Sequence, residues 1–150
     1  MTGGRQTNLM QFATPDEIYH QPANLFVARF IGSTRMNVFT CPVENGQAVF
    51  GSQRIDLPQS ARGLDAVALG QRPEHLHARE GAAEAGVTGT LEHFENLGHE
   101  FISQLNSDVG PITLRRTQAL NAGQIGARFG VSIDSGLLHF FDPKTELRLE

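Results

Sequence analysis

The 150-residue chain has no tryptophan, one tyrosine and one cysteine, Cys41. A single cysteine excludes an intrachain disulfide and fits a reducing compartment. No run of about 18 apolar residues occurs, so no segment has the length of a membrane-spanning helix. The N-terminus shows no apolar stretch followed by a small-residue cleavage site, and the expected location is the cytoplasm. Positive charge is also scarce. Twelve Lys and Arg stand against sixteen Asp and Glu, for a net charge of -4, and only Arg115 and Arg116 among the cations are adjacent. A nucleic-acid binder draws most of its affinity from a basic patch or stripe, so nucleic acid is not the expected partner.

What is abundant points the other way. Hydrophobic residues make up 39%, enough for a core without metals or disulfides. Ten phenylalanines carry no polar handle and are expected inside. Sixteen glycines favour many tight turns over long helices.

Residues 14–31 read as helical. Thr14 and Glu17 form a capping box, with Pro15 at the first helical position. Pro22 keeps that helix short by disfavouring helical geometry at Gln21. Asn24 caps a second helix over about Leu25 to Ile31, ended by Gly32. From about Asn37 the period changes to two. Strands are expected over Val38–Cys41, Ala48–Phe50, Arg54–Leu57, Ala66–Leu69, Val87–Phe94, Glu100–Leu105, Pro111–Leu114, Ala127–Ile133 and Leu137–Phe141. Asn45-Gly46 is a hairpin turn, since both residues tolerate positive φ. Residues 58–65 and 77–86 read as loop and exposed connection, and Asp142-Pro143 as the terminator of the last strand. The expected fold is mainly β: a small closed or half-closed barrel preceded by a short helical segment.

Several stretches carry a resemblance. They are Thr14-Pro15-Asp16-Glu17-Ile18-Tyr19, the run from Pro22 through Phe26 and Phe30 to Ser33, and Met36-Asn37. Gly70-Gln71-Arg72-Pro73-Glu74-His75-Leu76 and His139-Phe140-Phe141-Asp142-Pro143-Lys144-Thr145 complete the set. In this order, over about residues 14 to 147, they resemble the maltose-transporter-type ATP-binding subunits of carbohydrate ABC importers. The resemblance implies two parts. Residues 1–36 are the end of a nucleotide-binding domain, and residues 37–150 an oligonucleotide/oligosaccharide-binding-type regulatory barrel, often called TOBE. It also implies self-association through the barrel, membrane-spanning permease subunits as partners of the full-length parent at the cytoplasmic face, and a regulatory protein in some relatives. Family members usually carry Gly where this chain has Ala13 and, near the end, Gly where it has Glu146.

The phosphate-cradling loop G-x-x-x-x-G-K-[ST] occurs nowhere in the sequence, nor does an LSGGQ signature. The expectation is a chain with no catalytic residues, metal site or cofactor of its own, ATP and Mg²⁺ being implied only for the parent. The leading function is a regulatory and dimerisation domain of a sugar or sugar-phosphate importer. The alternative is a stand-alone barrel binding a small oxyanion, a sugar or single-stranded nucleic acid. Arg72, Glu74 and His75 are the candidate ligand or partner contacts, with Pro73 fixing the chain between them. The structural reading of the same motif is the organisation of an inter-domain corner. His75, His77, His93, His99 and His139 are read as solvated rather than as metal ligands, because three converging ligands are wanted. Glu92, Glu95 and Glu100 are read as surface charge, and strand alternation sends Arg115 and Arg116 to opposite faces.

Overall fold

The computed structural model describes residues 21–25 and 35–150. The capping box at Thr14–Glu17 lies outside the described residues, as does all but the first residue of the helix expected after Asn24.

Eleven strands make up the described part: β1 (Asn37–Glu44), β2 (Gln47–Phe50), β3 (Gln53–Asp56), β4 (Ala66–Gln71), β5 (His77–Glu80), β6 (Val87–Asn96), β7 (Phe101–Ser107), β8 (Gly110–Arg116), β9 (Arg128–Ser132), β10 (His139–Phe141) and β11 (Arg148–Leu149). They form a six-stranded sheet in the order β11-β10-β4-β1-β2-β3 and a five-stranded sheet in the order β5-β9-β6-β7-β8. Every pairing is antiparallel. The two curled sheets wrap one core as a half-barrel, as the sequence leads one to expect.

Alternation explains most of the strands. β7 buries Phe101, Ser103 and Leu105 and leaves Ile102 and Gln104 half-buried. β9 buries Phe129 and Val131, with Ile133 following on the same face. These residues meet Phe39, Phe50, Leu69, Leu91, Ile112 and Leu114 in one core shared by both sheets. Phe39 and Phe50 pack with ring centroids 5.0 Å apart and planes tilted by 52°. β4 differs, because Val67 through Gln71 are all buried. One face of β4 joins the main core. The other lies under a second cluster of Leu25, Met36, Ala68 and Phe141. A strand covered on both faces reads as a continuous run of small and apolar residues, and Ala66-Val67-Ala68-Leu69-Gly70 is one. Gly70 is required there, since a Cβ would sit 2.5 Å from the Met36 sulfur and 3.0 Å from the Phe141 ring.

Asn45 and Gly46 turn β1 into β2 with φ of 53° and 78°, the geometry expected of a two-residue hairpin. Two expectations need correction. His77–Glu80 is not a mere connection; it pairs with β9 from His77↔Ser132 to Glu80↔Phe129. Arg148–Leu149 adds a short strand beyond Asp142-Pro143. In β6 the alternation breaks at a bulge between Leu91 and His93, and Glu92 and His93 are both exposed. Among the described residues, no helix is long and apolar enough to cross a membrane.

A seam of three side-chain amides joins the sheets. Asn37 Nδ2 donates to the Thr113 carbonyl at 2.8 Å, and Thr113 N donates back to Asn37 Oδ1 at 2.8 Å. Gln53 exchanges the same pair with Ile133, both at 2.9 Å. Gln71 does so with Asp134, at 2.7 and 2.8 Å. Each amide stands in for a peptide unit and makes the two-bond exchange found between antiparallel strands.

Candidate functional site

The Arg72-Pro73-Glu74-His75 segment leaves β4 and turns at once, with His75 N donating to the Arg72 carbonyl at 3.0 Å. Pro73 holds that turn and its carbonyl accepts from Arg115 N at 3.1 Å, tying the corner to β8. Arg72 is only 1% exposed. It directly follows Gln71, the last residue of β4, and precedes the Pro73 contact with β8.

The turn brings two of the three candidate residues together and sets the third apart. Arg72 and His75 line a cavity of about 190 Å³ with Gln21, Leu138, His139 and Arg148, rimmed by Gly136 and Leu137. Glu74 is exposed and lines a different hollow with Glu100, Arg115 and Arg116. Sequence reasoning did not bring Arg148 or His139 into this site. Both come from the C-terminal hairpin of β10 and β11, and β10 lies beside β4 through the pairing His139↔Gly70. The only signal was the His139-to-Thr145 motif, which gave no spatial link to Arg72.

Arg148 bonds to residues on both neighbouring segments. Its Nη1 donates to the Pro22 carbonyl at 3.2 Å and lies 3.0 Å from His139 Nδ1. A guanidinium only donates, so His139 Nδ1 accepts and the ring carries its proton on Nε2. The Arg148 amide donates to the Ala23 carbonyl, and Leu25 N donates to the Glu146 carbonyl, both at 3.0 Å. Residues 23–25 therefore close the outer edge of β11, with Asn24 bridging Leu147.

Several of the remaining candidates contact neighbouring residues. Arg115 clasps Glu100 through Nε at 2.8 Å and Nη2 at 2.5 Å. That hydrogen bond is the main reason the Glu100 carboxyl lies below its ordinary 4.5; burial opposes it and the charges of Arg115 and His99 add to it. Arg116 rests 5.8 Å from the Phe129 ring centroid and donates to Gln118. Burial lowers its pKa. Both arginines are half-buried. Burial likewise pushes the Cys41 thiol up to about 11. His77 pairs with Asp134 at 3.1 Å on the exposed side. Among the described residues, no group of three or more His, Cys, Asp or Glu is arranged to hold a metal ion.

Comparison with known proteins gives this geometry its context. The chain is 38% identical over 145 residues to the sn-glycerol-3-phosphate import ATP-binding protein UgpC of Paracoccus denitrificans, covering 93% of this chain and 39% of the relative. It is 37% identical over 139 residues to the UgpC protein of Cereibacter sphaeroides, with the same coverages. The chain thus spans well under half the length of these relatives. Among solved structures, the cytoplasmic molybdate-binding protein ModG shares the fold with a TM-score of 0.53 at 18% identity, over 71% of this chain and 96% of that one. Residues 69–141, from the middle of β4 to the end of β10, match the TOBE domain family, and nearly the whole chain is similar to one part of ABC transporter ATP-binding subunits.

Proposed function

We propose that this chain is the non-catalytic regulatory and dimerisation part of the ATP-binding subunit of a carbohydrate ABC importer, of the sugar or sugar-phosphate type. Residues 1–36 would be the end of the nucleotide-binding domain and residues 37–150 the regulatory barrel. The observation that supports this most is the co-linear similarity: 93% of the chain aligns with an importer's ATP-binding subunit, and the TOBE match falls within the barrel. The barrel interior agrees with an adaptor role. Phe39, Phe50, Leu69, Leu91, Leu105 and Phe129 fill it, so its useful features lie on its surfaces and at its junction with residues 21–25.

On this reading the full-length parent works at the cytoplasmic face of the membrane, docked on two permease subunits. The barrel contributes contact with a second copy and a landing surface for a regulatory protein. Two measurements test it. Calorimetric titration of the chain with Mg–ATP is expected to give no saturable heat, and tight magnesium-dependent binding would overturn the reading. Equilibrium sedimentation at tens of micromolar is expected to show a dimer; a strict monomer would remove the dimerisation part.

The alternative, a barrel that takes a small ligand, is favoured by one observation: Arg72, His75, His139 and Arg148 line one cavity.

A further inference from the structure

We propose that Asn45-Gly46, the tip of the β1–β2 hairpin, is a self-modification site: Asn45 loses its side-chain ammonia through a cyclic imide and becomes aspartate or isoaspartate. This does not rest on the importer reading, since it needs only the turn and water.

The chemistry is contained in one dipeptide. The Gly46 main-chain nitrogen attacks Asn45 Cγ and closes a five-membered ring. The N–Cγ bond forms, the Cγ–Nδ2 bond breaks, and Nδ2 leaves as ammonia, taking the proton that the Gly46 nitrogen gives up. Water then opens the imide. Cleavage of the new N–Cγ bond gives aspartate. Cleavage of the original peptide bond gives isoaspartate, with the main chain running through Cβ and Cγ. Nothing is oxidised or reduced.

Asn45-Gly46 is the only Asn-Gly pair in the sequence. Glycine in second place leaves the attacking nitrogen unshielded by a side chain. The fold leaves the pair open as well. Asn45 is exposed and Gly46 half-buried. The β1–β2 ladder ends at Glu44↔Gln47, so the Gly46 amide lies beyond it. Asn45 has φ of 53°. That left-handed region holds an L-residue less firmly than the helical or extended regions, which eases the rotation that carries Cγ to the nitrogen. Other asparagines are held differently. The Asn37 amide exchanges two bonds with Thr113, and the following residue is the branched Val38. Asn106 is also exposed and precedes the small Ser107, but both sit in the β7–β8 ladder opposite Pro111 and Gly110.

The two products differ in consequence. Aspartate keeps the turn, because its short polar side chain also tolerates the left-handed region. Isoaspartate adds a main-chain atom to a two-residue loop whose length sets the register of the hairpin. The pairs Glu44↔Gln47 and Val43↔Ala48 are then out of step. The strain passes to Ala48 and Phe50, both 0% exposed in the core.

The test incubates the whole chain in warm buffer near neutral pH, then digests it and sequences the fragments by mass spectrometry. Loss of the amide is expected at Asn45, with both acid forms present, while Asn37 and Asn106 keep theirs. Asn45→Gly retains a residue free to take positive φ, and it should abolish the modification with the fold intact. After separation by ion exchange, the isoaspartate form is expected to unfold at a lower urea midpoint than the unmodified chain. Asn45→Asp is expected to unfold at nearly the same midpoint as the unmodified chain. The proposal is overturned if Asn45 keeps its amide in the folded chain under conditions that convert the urea-unfolded chain, or if Asn106 converts as fast as Asn45. Aspartate formed without isoaspartate would overturn the imide route. An isoaspartate form as stable as the unmodified chain would overturn the effect on register.

Discussion

Glu100 and Arg115 show how a residue can look like surface charge in the sequence and be a fixed part of the fold. Glu100 stands just ahead of β7 and Arg115 is in β8; the register Ile102↔Arg115 brings them within reach. Their side chains are 16% and 25% exposed. Because Arg115 bonds the ionised carboxylate, the folded chain holds the Glu100 proton less readily than the unfolded chain does. Stability from this pair is therefore present above the ordinary value of 4.5 and is lost as pH falls through the lower folded value. Urea midpoints of wild type and Glu100→Gln, compared from about pH 7 to about pH 3, are expected to differ most at neutral pH and to converge at the acid end. A difference that stays constant across that range would show that the carboxylate charge is not what matters. The same residue scale shows the limits of the motif. Arg72 and His75 were legible because they sit in one short segment. Arg148 was not, since nothing in a linear pattern announces a residue that approaches from far along the chain.

Among the elements, the legible strands were those with an apolar residue at every second position. β5 was missed for a plain reason: in His77-Ala78-Arg79-Glu80 only Ala78 is even half-buried, so it shows no alternation of burial. It is a strand because β9 offers it an edge, not because its own residues demand one. The bulge in β6 was illegible for a related reason, as a single inserted residue shifts the pattern without breaking its composition. Turns can be graded by what surrounds them. Gly86 has φ of 98°, and a Cβ there would lie 2.0 Å from the Val131 carbonyl oxygen; Gly81 has φ of 114° with open space around it. Gly86→Ala therefore adds a backbone clash to the strain of a left-handed residue, whereas Gly81→Ala adds strain alone. Expected losses in urea unfolding are about 3–5 kcal/mol for the first and about 1–2 kcal/mol for the second. Equal losses would mean that the backbone around Gly86 yields freely.

At the scale of the whole molecule, two curled sheets need something to stop them sliding, and the core alone does not supply it, because apolar contact is non-directional. The three reciprocal amides do. They connect residues 63 to 80 apart in the sequence, which is why no local pattern revealed them. They also close sheet edges. On the outer side of β8, Pro111 has no N–H, Thr113 is taken by Asn37, and Arg115 N is taken by the Pro73 carbonyl, leaving no free ladder for another strand. Gln71 is the most telling of the three, being fully buried. Gln71→Ala removes both bonds and leaves Asp134 N and O without their amide partner. At about 1–3 kcal/mol for each buried group left unsatisfied, the loss is expected at about 2–4 kcal/mol once water has partly relieved it. Gln71→Glu is the sharper probe. It keeps the size and the acceptor but loses the donor, so it should destabilise at neutral pH and recover in part as acid restores a proton to the carboxyl. If Gln71→Glu matches wild type at neutral pH, the amide is filling space, and the register of the sheets is held by packing instead.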